Sequence, residues 1–262
     1  ARFAIGMAEA GGGTWLGLLA EAGPLQRNWG LYLPDVGPFG ISVRAIASLE
    51  QLHGAEPFGY LSMPRVNGNY FDPADVITRQ DGGFTTASFT GHQTGPVQQS
   101  RSVLVMPDGS VGFGDVFDNT SDTDVTIDVD LTSTLADPVE VLVAASSTGG
   151  TYQVTGVQDS QAYGVLAQVF ASTVPGALRP SLVGVQTLGG TSTVRYRLTI
   201  PAGQRRTLVS FAVVRAAGEA AAVTERAEEL RALGDPAIFP WLFTLGPGTI
   251  VNFPIGGGGG EF

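Results

Sequence analysis

The side chains best suited to chemistry in this chain are carboxylates lying near aromatic rings. Asp72 and Asp75 fall in the run Tyr70-Phe71-Asp72-Pro73-Ala74-Asp75, with Trp29, Tyr32 and Tyr60 upstream. Cleaving a glycosidic bond needs two carboxyl groups facing a sugar across a cleft, and an exposed aromatic ring offers the flat apolar surface on which a sugar ring stacks. Trp29, Tyr32, Tyr60, Tyr70 and Asp72 are therefore the expected glycan contacts. The competing expectation, which the local pattern favours, is structural: Asp before Pro forms turns and helix caps, and the rings then belong to a core.

A second acidic set, Asp118, Asp122, Asp124, Asp128 and Asp130, has the hard oxygens that Ca²⁺ prefers. Its spacing is not that of an EF-hand, and six to eight ligands would require backbone carbonyls and water. Asp118, Asp122 and Asp124 are thus the candidates for the one cofactor left open, Ca²⁺. The main expectation is that they form turns, bonding to backbone N–H groups and water, so that no metal or other cofactor is required.

Little else in the inventory supports catalysis. His53 and His92 are the two histidines, and neither has a ligand or triad spacing such as H-E-x-x-H. The chain has no G-x-S-x-G, no P-loop and no G-x-G-x-x-G. The absence of Cys removes disulfides, thiolate catalysis and zinc–thiolate sites, and the absence of Lys removes Schiff-base chemistry. The expectation is a protein that is not an enzyme; an enzyme built from these residues would use carboxylates on a glycan.

The elements that would carry these residues are strands. Val125, Ile127, Val129 and Leu131 alternate with Thr126, Asp128, Asp130 and Thr132, the period of a strand with one face in a core and one in water. Pro107-Asp108-Gly109 and Asp118-Asn119-Thr120-Ser121-Asp122 are turn chemistry. Residues 84–89, 100–106, 111–117, 139–145, 151–157, 164–170, 182–187, 191–200 and 205–214 also read as strands. Pro201-Ala202-Gly203-Gln204 is expected to join the last two as a hairpin, and 207–214, apolar on both faces, is expected in the middle of its sheet.

Punctuation by Pro34, Pro38, Pro57 and Pro64 predicts mostly loops over 28–70, with strands confined to short pieces such as 40–47. One helix is expected at 218–233, with Val223, Ala227 and Leu230 on its apolar stripe and a Gly234-Asp235-Pro236 stop. Residues 249–253 read as a final strand. The whole is a mainly β chain, an antiparallel β-sandwich of supersandwich-like kind with one C-terminal amphipathic helix packed on it. Its expected organisation is a Gly-rich segment 1–30 containing a short helix around Leu16, Leu19 and Ala20, a domain 31–253, and a Gly-rich tail 254–262.

Composition agrees with a folded β protein. Across 262 residues, 43% are hydrophobic, enough for a packed core, and 37 Gly with 16 Pro suit many short strands and turns. The net charge is −10, which argues against a nucleic-acid partner, since a phosphate backbone demands a basic face. No apolar run reaches the roughly 18 to 20 residues of a membrane span.

The succession Arg101-Ser102-Val103-Leu104-Val105, Phe117-Asp118-Asn119-Thr120-Ser121, Val125-Thr126-Ile127-Asp128-Val129, Tyr196-Arg197-Leu198-Thr199-Ile200-Pro201-Ala202-Gly203 and Ile250-Val251-Asn252-Phe253 resembles a β-sandwich module that recurs in large secreted and surface proteins of high-GC bacteria. The likeness spans roughly residues 70–253 and rests on spaced strands and turns. Such modules often carry an Asp and a Trp after the turn at 146–150; here Asp159 is present and the Trp is not. The resemblance implies architecture and an extracellular or cell-surface location, and carries no catalytic residues across.

The chain opens at Ala1 without a basic leader, as expected of an exported product whose signal peptide has been removed, or of a fragment. Gly256, Gly257, Gly258, Gly259, Gly260 and Phe262 are the expected assembly contact, a terminal strand added to a neighbour's sheet edge. The leading expectation is a structural subunit that self-associates into a homo-oligomer or filament; the alternative, from a different class, is a carbohydrate-binding or carbohydrate-active β-sandwich with a glycan partner.

Overall fold

The structure is a computed structural model. It describes the backbone of residues 7–9, 13–20, 27–34, 42–47, 58–71, 75–81, 84–135, 139–156, 164–187, 190–216 and 218–255, with side chains from residue 61 onward except 75–81, 85, 91 and 92.

Two antiparallel sheets form the molecule. In chain order the strands are β1 (Met7–Glu9), β2 (Gly13–Ala20), β3 (Arg27–Pro34), β4 (Ser42–Ala47), β5 (Phe58–Val66), β6 (Asn69–Tyr70), β7 (Asp75–Asp81), β8 (Phe84–Thr94) and β9 (Val97–Val105). They continue as β10 (Val111–Asn119), β11 (Val125–Leu135), β12 (Glu140–Val143), β13 (Tyr152–Gly156), β14 (Val165–Val169), β15 (Leu182–Gln186), β16 (Thr191–Ile200) and β17 (Arg205–Arg215). One sheet runs β12-β13-β14-β17-β10-β9-β8-β7; the other runs β1-β2-β3-β4-β5-β11-β16-β15, with β6 beside β5. A single backbone pairing, Val43 with Leu61, joins β4 to β5.

Strand alternation places the core. Ile127, Val129, Leu131, Val194, Tyr196, Leu198 and Ile200 of one sheet meet Phe117 and Leu208 of the other, while Thr126 and Thr199, Asp128 and Arg197, and Asp130 and Arg195 pair across β11 and β16 on the opposite face. β17 lies in the interior of its sheet, as its two apolar faces require. Its second face is covered by α1 (Ala220–Arg231), through buried Val223, Ala227 and Leu230, and by α2 (Phe239–Thr244). Burial of each such Val or Leu is worth about 1.5–3 kcal/mol.

Ion pairs fasten α1 to the β9–β10 turn. Asp108 accepts from Arg226 Nε at 2.9 Å and from Arg215 at 3.0 Å, and Arg226 reaches on to Asp235 at 2.7 Å. These charges hold the Asp108 carboxyl below its ordinary range, although burial opposes the shift.

Several expectations are corrected. Gly13–Ala20 is a strand and not a short helix; over 28–70 the short strand expected at 40–47 is present as β4, but β3 and β5 add longer strands where loops were expected, Pro34 ending β3 and Pro64 lying within β5, whose pairing with β11 is irregular. The Pro201–Gln204 turn is not a hairpin: β16 pairs with β11 and β15, β17 with β10 and β14, so the turn crosses from one sheet to the other. Four turn residues suit either geometry, and the shared core between the sheets decides. Residues 249–253 make one parallel bridge, Thr207 with Ile250, instead of a strand, because Asn252 turns its fully buried amide inward to accept from Val209 N at 2.8 Å and donate to the carbonyls of Phe170 and Val209 at 2.6 Å. α2 is a helix of only six residues, too short to show a periodic pattern, and its Pro in the first turn and buried Trp241 and Leu242 stabilise it by packing. α1 ends at Arg231, ahead of Gly234-Asp235-Pro236, and Leu233 takes the left-handed conformation with φ of 55°.

Candidate functional site: a hydroxyl-floored groove beside α2

α2 lies directly on the outer face of β10 because Gly112 and Gly114 leave room for it. A Cβ on Gly112 would stand 3.0 Å from the Trp241 ring, and one on Gly114 would stand 2.5 Å from Leu245 Cδ1. Trp241 is anchored by its indole N–H, which donates to Ser102 Oγ at 2.9 Å, and its ring meets Phe211 edge-on with centroids 6.2 Å apart.

The helix leaves β8 and the adjoining part of β9 open, and a groove of about 220 Å³ remains there. Ser88, Thr90, Ser100 and Ser102 give it a floor of hydroxyls, between which Phe89 and Arg101 also line it; Thr244 and Leu245 line it beside α2, and Val116 and Arg205 complete the lining. Register explains the floor: Ser88 pairs with Ser102, which pairs with Gly114, so hydroxyls lie in line across neighbouring strands. Arg205 is held to Asp118 by two bonds, Nε to Oδ1 at 2.6 Å and the second nitrogen to Oδ2 at 2.9 Å. That pairing raises the Arg205 pKa further and keeps its charge fixed.

Hydroxyl groups both donate and accept hydrogen bonds, as do the hydroxyls of a sugar. The described lining residues include no carboxylate, imidazole or phenol. The arrangement is equipped to hold a polyol.

A second polar centre lies on the other side of the same strands. Arg101, between Ser100 and Ser102 on β9, points into the sandwich, where Nε stands 3.1 Å from Asp115 Oδ1. Its guanidinium also donates to Ser62 O at 2.5 Å and to Ser62 Oγ at 3.0 Å on the opposite sheet, and rests 4.7 Å over the Phe113 ring. Ser62 sits at a bulge in the β5–β11 pairing with φ of 52°. Burial pushes the Asp115 carboxyl up to about 6, with Arg101 opposing. The pair is enclosed, and no ligand can reach it without opening the core.

The residues singled out from sequence fall elsewhere. Trp29 and Tyr32 lie on β3 and Tyr60 on β5, but their side chains, and all of Asp72, lie outside the described residues. Tyr70 is half-buried, with Arg65 stacked 4.7 Å over its ring. The acidic set does not converge: Asp118 serves Arg205, Asp124 Oδ1 accepts from Ala202 N at 3.0 Å, and Asp128 and Asp130 pair with Arg197 and Arg195. Among the described residues no three acidic or metal-ligating side chains gather around a common point. Gly256, Gly257, Gly258, Gly259, Gly260 and Phe262, and also Asp159, lie outside the described residues.

The groove itself escaped sequence reading. Its signals were present: small polar residues at 88, 90, 100 and 102 alternate with Phe89, Arg101 and Val103, and two glycines spaced by two within a strand mark a close approach. Nothing local says that these strands adjoin, or that a short helix more than 120 residues later supplies the wall.

No family model and no curated protein matches the sequence. Solved structures do. Heparan sulfate lyase HepC from Pedobacter heparinus is similar over 77% of this chain and 35% of its own, with a TM-score of 0.51 and 9% identity. A putative aldose 1-epimerase from Klebsiella pneumoniae is similar over 88% of this chain and 89% of its own, at a TM-score of 0.47 and 10% identity. The chain thus spans about a third of the length of the lyases it matches. At these identities the shared property is the fold. No helix among the described residues is long and apolar enough to cross a membrane.

Proposed function

We propose that this chain is a carbohydrate-binding β-sandwich that seats a single sugar ring in the groove between α2 and strands β8 and β9. The observation that carries the reading is the floor of Ser88, Thr90, Ser100 and Ser102 facing Thr244 across about 220 Å³. Pockets for drug-sized ligands run to about 300–1,000 Å³, so the volume suits one ring, with the rest of a glycan lying outside. Similarity in fold to an enzyme named for cleaving heparan sulfate supports a polysaccharide context, and an exported protein would meet such a ligand. This reading replaces the self-assembling structural subunit, whose expected contacts lie outside the described residues.

Titration calorimetry with a panel of mono- and oligosaccharides tests it. Ser88 is exposed, so Ser88→Trp should fill the groove without disturbing the core. The expected result is sugar binding by the native chain and its loss in the variant at an unchanged melting temperature. Binding that survives Ser88→Trp, or no binding of any sugar by the native chain, would overturn the reading.

A further inference from the structure

We propose that the groove selects an uncharged sugar over a carboxylated or sulfated one, an inference that rests on the binding reading above. Among the described residues two cations line the groove, and each is already engaged: Arg101 turns inward to Asp115, with Nε 3.1 Å from Oδ1, and Asp118 holds Arg205 through two hydrogen bonds at 2.6 and 2.9 Å. An anionic substituent presents acceptor oxygens only, and is normally held by unpaired guanidinium or ammonium groups. Here it would face a neutral ion pair whose carboxylate repels it.

The wall discriminates in the same direction. Thr244 Oγ1 donates its proton to Trp241 O at 2.7 Å, so toward the groove it can only accept. A sugar hydroxyl can donate to it; a carboxylate or sulfate oxygen cannot. Ser102 has the opposite role, for its Oγ accepts the Trp241 indole proton and its own proton is free to be donated. One donor and one acceptor across a narrow groove match a hydroxyl-bearing ring. Among the described residues, Arg195, Arg197, Arg215, Arg226 and Arg231 each pair with a carboxylate, Arg65, Arg179 and Arg206 bond to backbone or amide oxygens, and the chain carries a net charge of −10.

The test compares neutral hexoses and hexosamides with the uronic acid and O-sulfated forms of the same ring configuration, at low and at physiological salt. The native chain should bind the neutral ring at least about tenfold more tightly, with an affinity insensitive to salt. Asp118→Asn should release Arg205 and shift the ratio toward the anionic ring. Tighter binding of the anionic ring by the native chain, an affinity that falls steeply with salt, or a ratio unmoved by Asp118→Asn would each overturn the inference while leaving sugar binding intact. Failure of every sugar to bind would instead remove the binding reading, and this inference with it.

Discussion

Arg101 of β9 and Asp115 of β10 stand directly opposite one another inside the sandwich, each with a side chain about 1% exposed and 3.1 Å apart. From there the Arg101 guanidinium crosses to the Ser62 bulge of the other sheet. A charged pair thus ties the two sheets at a point where apolar packing would have been the simpler solution.

Removing one partner should be costly and removing both should not. Asp115→Leu leaves a buried guanidinium without its carboxylate and is expected to cost about 3–5 kcal/mol in urea unfolding. Arg101→Met combined with Asp115→Leu should recover most of that loss. A double variant as unstable as the single one would show that the Ser62 contacts, and not charge balance, dominate.

Stability should also depend on pH through Asp115. Its carboxyl is pushed up to about 6 in the folded chain, from an ordinary value of 3.8. The folded state therefore holds this proton more tightly than the unfolded state, and stability rises wherever the proton is bound. The contribution is fully present below about 3.8 and is lost as pH rises through about 6. Measured against the Arg101→Met, Asp115→Leu double variant, so that the other carboxylates cancel, the native chain should lose stability between pH 4 and pH 7. Parallel curves would contradict this.

Gln99 lies two residues from Arg101 on the same strand, 1% exposed, with neither amide atom bonded to another protein atom. Gln99→Met keeps the shape and removes the buried amide. It should raise stability by about 1–2 kcal/mol, read as a melting-temperature increase of a few degrees.

Asn119 joins the two turns that cross between the sheets. Its Nδ2 donates to the carbonyls of Thr123 at 2.7 Å, Ile200 at 3.0 Å and Pro201 at 3.2 Å, and its Oδ1 accepts from Ser121 N at 3.0 Å. Asn119→Asp would set an oxygen against three carbonyls and should destabilise more than Asn119→Ala, each by at least about 1–3 kcal/mol. Thermal melts that rank the two the other way would assign the effect to volume alone.

The seat of α2 is open to a double-mutant cycle. Gly114→Ala drives a methyl against Leu245 and should cost about 1–3 kcal/mol; Leu245→Ala should relieve that clash, giving a coupling energy of opposite sign to the single effects. Additive losses would mean that α2 shifts freely on the sheet.

Much of the secondary structure could be read along the chain because it is governed by near neighbours. The alternation from Val125 to Leu131 and the spacing of Val223, Ala227 and Leu230 each commit an element to one buried face, and the structure buries those faces. The N-terminal strands were obscured by glycines and prolines, whose local preference for turns yielded to pairing with neighbouring strands.

Partner choice was decided only in three dimensions. Pro201–Gln204 can close a hairpin or cross between sheets, and it crosses because Val194, Tyr196, Leu198 and Ile200 bury against Phe117 and Leu208 of the facing sheet. The groove has the same origin, since Ser88, Ser102, Arg205 and Thr244 share no local pattern and meet only when α2 settles on Gly112 and Gly114. Period and turn chemistry are short-range properties that a sequence displays directly, whereas a site assembled from four distant segments exists only once long-range burial has selected which faces meet.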